Sequence, residues 1–142
     1  MTIQDAKSIL VVEDDADIRE TVALALREAG YRVACAENGE AALAALGREL
    51  PRLVLLDLMM PVMDGWEFRG RQRAMPGARD VPVVILSAGG QVEKKAQNLQ
   101  AAGWLRKPVR LETLLAEVAN ALEGERPAGA RFGPSAFPNA GT

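Results

Sequence analysis

No histidine occurs anywhere in the 142 residues. That excludes a histidine-based triad, a histidine metal site and a histidine phosphodonor within this sequence. Cysteine is nearly absent: Cys35 stands alone, so no internal disulfide can form, which fits a reducing compartment. Within Tyr31-Arg32-Val33-Ala34-Cys35 it reads as a small buried apolar residue. No apolar run approaches the ~20 residues of a membrane helix, and the N-terminus lacks the apolar region of a signal peptide. Neither sign of charge dominates. The 17 basic and 19 acidic residues give a net charge of -2, which is no electrostatic footprint for nucleic acid. These absences lead us to expect a soluble, cytoplasmic protein with neither a nucleic-acid nor a membrane partner.

The length suits one domain and is short for two. A domain of this size buries roughly 70% of the surface its unfolded chain exposes, so it folds without a disulfide or a structural metal. Strand and helix patterns alternate along it. Strands are expected at Ile9 to Val12, Arg32 to Cys35, Leu53 to Leu56, Val81 to Leu86 and Trp104 to Arg106. Most are near-continuous apolar runs, as in a parallel sheet covered on both faces. The first helix carries Ile18, Val22, Ala25, Leu26 and Ala29 at helical spacing and stops at Gly30; the second carries Ala42, Leu43, Leu46 and Leu50 before Pro51. The last has one stripe of Leu111, Leu114, Leu115, Val118 and Leu122, with Glu112 and Glu117 off it. The third helix begins at Asp64-Gly65 but breaks its stripe with Gly70 and Gln72, and the fourth, near Gln91 to Ala101, offers only Val92, Ala96 and Leu99 to a core. Five βα units in sequence imply a doubly wound α/β sheet with right-handed crossovers.

Polar residues gather at the strand ends. The first strand runs into Glu13-Asp14-Asp15, the third ends in Asp57, the fourth in Ser87 and the fifth in Lys107-Pro108. Open α/β sheets place their sites at this carboxyl edge, and in the order 2-1-3-4-5 strands one and three are neighbours at the switch point. Glu13, Asp14 and Asp57 then share one cleft, where like charges need compensation. A divalent cation and a lysine supply it. The ligands are all oxygen, which selects a hard ion, and few protein ligands with room for phosphate oxygen and water favour Mg2+ over Ca2+. A carboxylate, a bound Mg2+, Lys107 and the Ser87 hydroxyl form a phosphoryl site. Asp57 would attack phosphorus in line and become an acyl phosphate, while the cations and Ser87 stabilise the equatorial oxygens.

Val11-Val12-Glu13-Asp14-Asp15, Asp57-Leu58-Met59-Met60-Pro61-Val62-Met63-Asp64-Gly65, Leu86-Ser87-Ala88 and Lys107-Pro108 closely resemble the receiver domain of bacterial two-component response regulators. The resemblance covers roughly residues 7 to 123. Each motif is weak alone; in this order, each at a strand end, they are highly specific. The resemblance implies a flavodoxin-like (CheY-like) five-stranded sheet of order 2-1-3-4-5 with five helices, so that order is not an independent reading of the pattern. It further implies Asp57 as phosphoacceptor and as a Mg2+ ligand, Asp14 as a direct Mg2+ ligand, Glu13 acting through water, the backbone carbonyl of Met59 as another ligand, and a cis Lys107-Pro108 bond. Asp15 then falls outside the metal set and caps the first helix. The family's switch aromatic, three before the lysine, is usually Tyr or Phe; here it is Trp104. The segment from Ser87 to Lys107 is also shorter than usual for the family.

The implied donor is a histidine kinase or histidine phosphotransfer protein, and the output is an unidentified downstream protein that docks through the fourth and fifth helices. We expect a stand-alone receiver in residues 1–124, followed by a Gly/Pro/Ala-rich tail, 125–142, without periodicity and disordered in isolation. A constitutive protein-binding module that retains the site without switching is the alternative. A hydrolase using an aspartyl nucleophile is disfavoured, because the companion Asp of a common phosphatase family is Met59 here.

Overall fold

The computed structural model describes residues 8–123, so the expected tail lies outside the described residues. Five strands and five helices alternate: β1 (Ser8–Val12), α1 (Ala16–Glu28), β2 (Arg32–Ala36), α2 (Gly39–Arg48), β3 (Leu53–Asp57), α3 (Gly65–Arg73), β4 (Val83–Ser87), α4 (Val92–Asn98), β5 (Gly103–Arg106) and α5 (Leu111–Glu123). The sheet is parallel throughout, in the order β2-β1-β3-β4-β5. Strand parity explains why the apolar runs are nearly continuous. Successive side chains point to opposite faces, and both faces are covered. Leu10, Val12, Val54, Leu56, Val83, Ile85 and Trp104 join Ala42, Leu46, Phe68, Val92 and Ala96 of α2 to α4. Ile9, Val11, Leu53, Leu55, Val84, Leu86 and Leu105 join Val22, Leu26, Leu114, Val118 and Ala121 of α1 and α5. Burial of each Val, Leu, Ile or Phe side chain among them contributes about 1.5–3 kcal/mol.

Local chemistry starts the helices where the sequence requires. Asp15 Oδ1 accepts from the Ile18 amide at 3.0 Å, Asn38 Oδ1 from Ala41 at 2.8 Å and Asp64 Oδ1 from Glu67 at 2.9 Å. Each satisfies an amide that has no partner within its helix. β4 begins at Val83 rather than Val81, because Pro82 has no amide to enter the ladder.

The structure corrects several expectations. β2 is an edge strand with only its last residue buried, so Cys35 is exposed rather than packed in a core. Ile18, Leu50 and Leu111, placed in apolar stripes, are exposed, as is Ala29. Glu117, placed off the stripe of α5, is buried against Gly103, where β5 has no side chain to exclude it. Gln72, read as a break in the stripe of α3, is fully buried and serves as a polar bracket. Its Nε2 donates to the carbonyls of Ala78 and Val81, and its Oε1 accepts from Arg69 Nη1 at 2.9 Å. Arg69 also donates to the carbonyls of Leu99 and Gln100 just after α4. Burial pushes its guanidinium pKa down to about 10, which leaves it charged at neutral pH. This pair joins α3 to the far end of α4 and to the loop before β4.

Candidate functional site

Register brings the polar strand ends together. Val12 pairs with Leu56, so Glu13 and Asp57 emerge side by side from β1 and β3; Asp57 pairs with Leu86, and Ser87 with Arg106. The Lys107 amide donates to the Ser87 carbonyl at 2.9 Å, which carries Lys107 to the same edge. The Lys107-Pro108 bond is cis. Gly65 fixes the loop after β3: a Cβ there would stand 2.8 Å from Leu58 Cα and 2.9 Å from the Asp57 carbonyl, backbone atoms that no rotamer change moves.

Carboxylate oxygens of Glu13, Asp14 and Asp57 lie within 4.8 Å of one another. Glu13 is 1% and Asp57 2% exposed, whereas Asp14 faces solvent. Lys107 Nζ reaches Glu13 Oε1 at 2.8 Å and Asp57 Oδ2 at 3.4 Å. The remaining oxygens are held by the backbone. Met59 N donates to Asp57 Oδ1 at 3.0 Å and Asp15 N to Glu13 Oε2 at 3.2 Å, while Arg19 Nη1 donates to the Glu13 carbonyl at 2.9 Å. The Met59 side chain is exposed, so its backbone is what touches the site.

Of the three carboxylates, Lys107 pairs with the two buried ones, Glu13 and Asp57. Burial, reinforced by the neighbouring Glu13, pushes the Asp57 pKa up to about 7, against the Met59 amide and Lys107, which favour the charged form. For Lys107 burial acts against the charged form, but hydrogen bonding to Glu13 and the charge of Asp57 outweigh it and raise its pKa. A pocket of hard oxygen donors with uncompensated negative charge fits a divalent cation of the Mg2+ class.

Ser87 is fully buried and its Oγ accepts from Gly89 N at 3.1 Å, which leaves the hydroxyl proton to donate. Trp104 is 7% exposed and packs in the core on the α4 side of the sheet rather than on the surface. The sequence reading missed one residue here. Lys95 of α4 is half-buried, and its Nζ reaches the Gly89 loop beside Ser87. Gly89-Gly90 was its only sequence signal, because two residues without side chains leave that approach open.

A doubly wound sheet with an acidic pocket, a strand-end aspartate, a hydroxyl and a lysine at its carboxyl edge defines a CheY-like regulatory receiver domain. The response regulator receiver domain family matches residues 9–119, and the chain belongs to that family, part of two-component signalling. It is 37% identical over 123 residues to the phosphate regulon transcriptional regulatory protein PhoB of Pseudomonas aeruginosa, covering 85% of this chain and 54% of that protein. The chain thus spans about half the length of this relative. An uncharacterised protein of Leptolyngbya boryana is 40% identical over 103 residues, 71% of this chain and 79% of its own length. Among solved structures, chemotaxis protein CheY4 of Vibrio cholerae superposes with a TM-score of 0.75 at 34% identity, covering 80% of this chain and 97% of its own. A response regulator of Chloroflexus aurantiacus gives 0.77 at 33% identity, covering 82% and 98%.

Proposed function

We propose that Asp57 accepts a phosphoryl group from the phosphohistidine of a histidine kinase or phosphotransfer protein, and that the acyl phosphate switches docking to a downstream protein in the cytoplasm. The observation that carries this reading is the convergence of Glu13, Asp14 and Asp57 within 4.8 Å, with Lys107 Nζ 3.4 Å from Asp57 Oδ2. The Asp57 carboxylate attacks phosphorus; the new O–P bond forms as the P–N bond to the donor histidine breaks, and the imidazole leaves with the electron pair. Asp57 must be ionised to do this, and Lys107 favours that form. Lys107 and the Ser87 hydroxyl are then the chain's own groups for the phosphoryl oxygens, held in place before the reaction by buried strand ends. Asp14 and Asp57 directly, Glu13 through water and the Met59 carbonyl would hold Mg2+. That ion would neutralise charge on the transferred group and keep Asp57 in its nucleophilic form.

Trp104 is the proposed readout residue, because it lies on β5 in the core cluster that includes Val92 and Ala96 of α4. The test is incubation with a small phosphodonor and Mg2+ followed by mass spectrometry. The expected result is a gain of one phosphoryl group in the wild type and none in Asp57→Asn. No gain in the wild type, or an equal gain in the variant, overturns the reading.

A further inference from the structure

Helix α4 carries two adjacent lysines in different surroundings. Lys94 is exposed, whereas Lys95 is half-buried. Helical side chains lean toward the N-terminus of their helix, and the long Lys95 stem runs back over the loop that follows β4. Its Nζ lies 3.1 Å from the point where a Cβ on Gly89 would stand, and Ser87 Oγ lies 3.6 Å from the same point. Any side chain at residue 89 would intrude between them. Among the described residues, no carboxylate or hydrogen-bond acceptor holds the Lys95 ammonium. Lys107, by contrast, is already engaged by Glu13 and Asp57. The acyl phosphate of Asp57 carries about two negative charges where the carboxylate carried one, and it projects them outward from the strand end.

We propose that Lys95 is a second phosphoryl-binding cation. When Asp57 carries its phosphoryl group, the Lys95 ammonium crosses the open space over Gly89 and donates a charge-assisted hydrogen bond to a phosphoryl oxygen. No covalent bond is made or broken; water around the ammonium is exchanged for the oxygen. Because Lys95 belongs to α4, the contact ties that helix directly to the state of Asp57. The inference rests on the phosphoacceptor reading above, and it concerns a residue that the strand-end motifs do not contain.

The experiment titrates the full chain with beryllium fluoride in the presence of Mg2+, using that mimic as the phosphoryl probe. The wild type, Lys95→Met, Lys95→Gln, Lys95→Arg and Lys94→Met are compared, with unfolding curves of each unloaded variant to establish that it is folded. Loss of one partly exposed charge-assisted hydrogen bond weakens the mimic roughly three- to tenfold in Lys95→Met and Lys95→Gln. Lys95→Arg keeps most of the affinity, and Lys94→Met equals the wild type. Added salt narrows the gap between wild type and Lys95→Met, because the contact is only half-buried. Loading slows amide exchange in α4 of the wild type but not of Lys95→Met. Wild-type affinity in both folded neutral variants, or an equal loss in Lys94→Met, overturns the inference and leaves the phosphoacceptor reading intact. A folded wild type that fails to take the mimic overturns both.

Discussion

Replacing Asp57 with Asn should make the protein without divalent cations more stable, although Asp57 is the proposed nucleophile. The reason is that its carboxyl is held at a pKa of about 7 instead of 3.8, mainly by burial and next by Glu13. A raised carboxyl pKa means that the folded state binds its proton more tightly than the unfolded chain does. The stability associated with that proton is fully present below pH 3.8 and is lost as pH rises through about 7. Every tenfold difference in proton affinity between the two states is worth about 1.4 kcal/mol, which puts the full penalty of charging Asp57 at about 4 kcal/mol. Asn removes the charge and retains the acceptor for the Met59 amide; the attraction of Asp57 to Lys107 is already contained in the raised pKa. A gain of up to about 4 kcal/mol at pH 8 is therefore expected, or roughly 10–15 °C in Tm for a domain of this size. The assay is thermal or urea unfolding of both proteins in a chelator from pH 4 to pH 8. The gap should shrink to within about 1 kcal/mol near pH 4, where the wild-type carboxyl is neutral. A variant less stable than the wild type at pH 8, or a gap that does not change with pH, would refute the electrostatic account of the site.

Two further substitutions test its supports. Lys107→Met removes the ammonium from Glu13 Oε1, which has no hydrogen-bond donor besides Lys107 among the described residues, and from Asp57. The Asp57 titration midpoint, followed by carboxyl NMR, should rise above that of the wild type, and stability at pH 8 should fall by about 3 kcal/mol; an unchanged midpoint would show that Lys107 does not act on Asp57. Gln72→Leu conserves volume but strips the Ala78 and Val81 carbonyls and Arg69 Nη1 of a buried partner. Urea unfolding should show a loss of about 2–4 kcal/mol, and a loss under about 0.5 kcal/mol would mean that these groups find other partners.

The parts of the fold that were legible in the sequence were those decided locally. Apolar runs ending in Asp57, Ser87 and Lys107-Pro108 marked β3, β4 and β5 and the carboxyl edge that carries the site, because a buried strand tolerates a charge only where the sheet opens to solvent. Asp15, Asn38 and Asp64 marked helix starts, since their side chains reach the next amides along the chain. Misreadings occurred where a residue's setting depends on a distant segment. Cys35 looked like core because its own neighbours are apolar, yet β2 lies at the sheet edge. Glu117 looked like surface because it interrupts an apolar stripe, yet Gly103 on another strand leaves room for its side chain. Gln72 resembled a fault in α3 until the loop carbonyls it serves were brought beside it.

Sequence alone therefore determined which groups stand at which strand ends, and so the class of chemistry: carboxylates, one hydroxyl and one lysine, with no histidine. Their number and type follow from the chain. Tertiary structure decided what those groups experience. Parallel register places Glu13 beside Asp57, burial strips both of water, and a single ammonium is left to serve two carboxylates. Together these move the Asp57 pKa to about 7. The placement of Lys95 over Gly89 is of the same kind, because spatial proximity between a helix and the loop before it depends on how α4 packs against the sheet. Charge identity is a property of the residue; its energy depends on the distance to other charges and on the water excluded between them, and only the folded chain sets those.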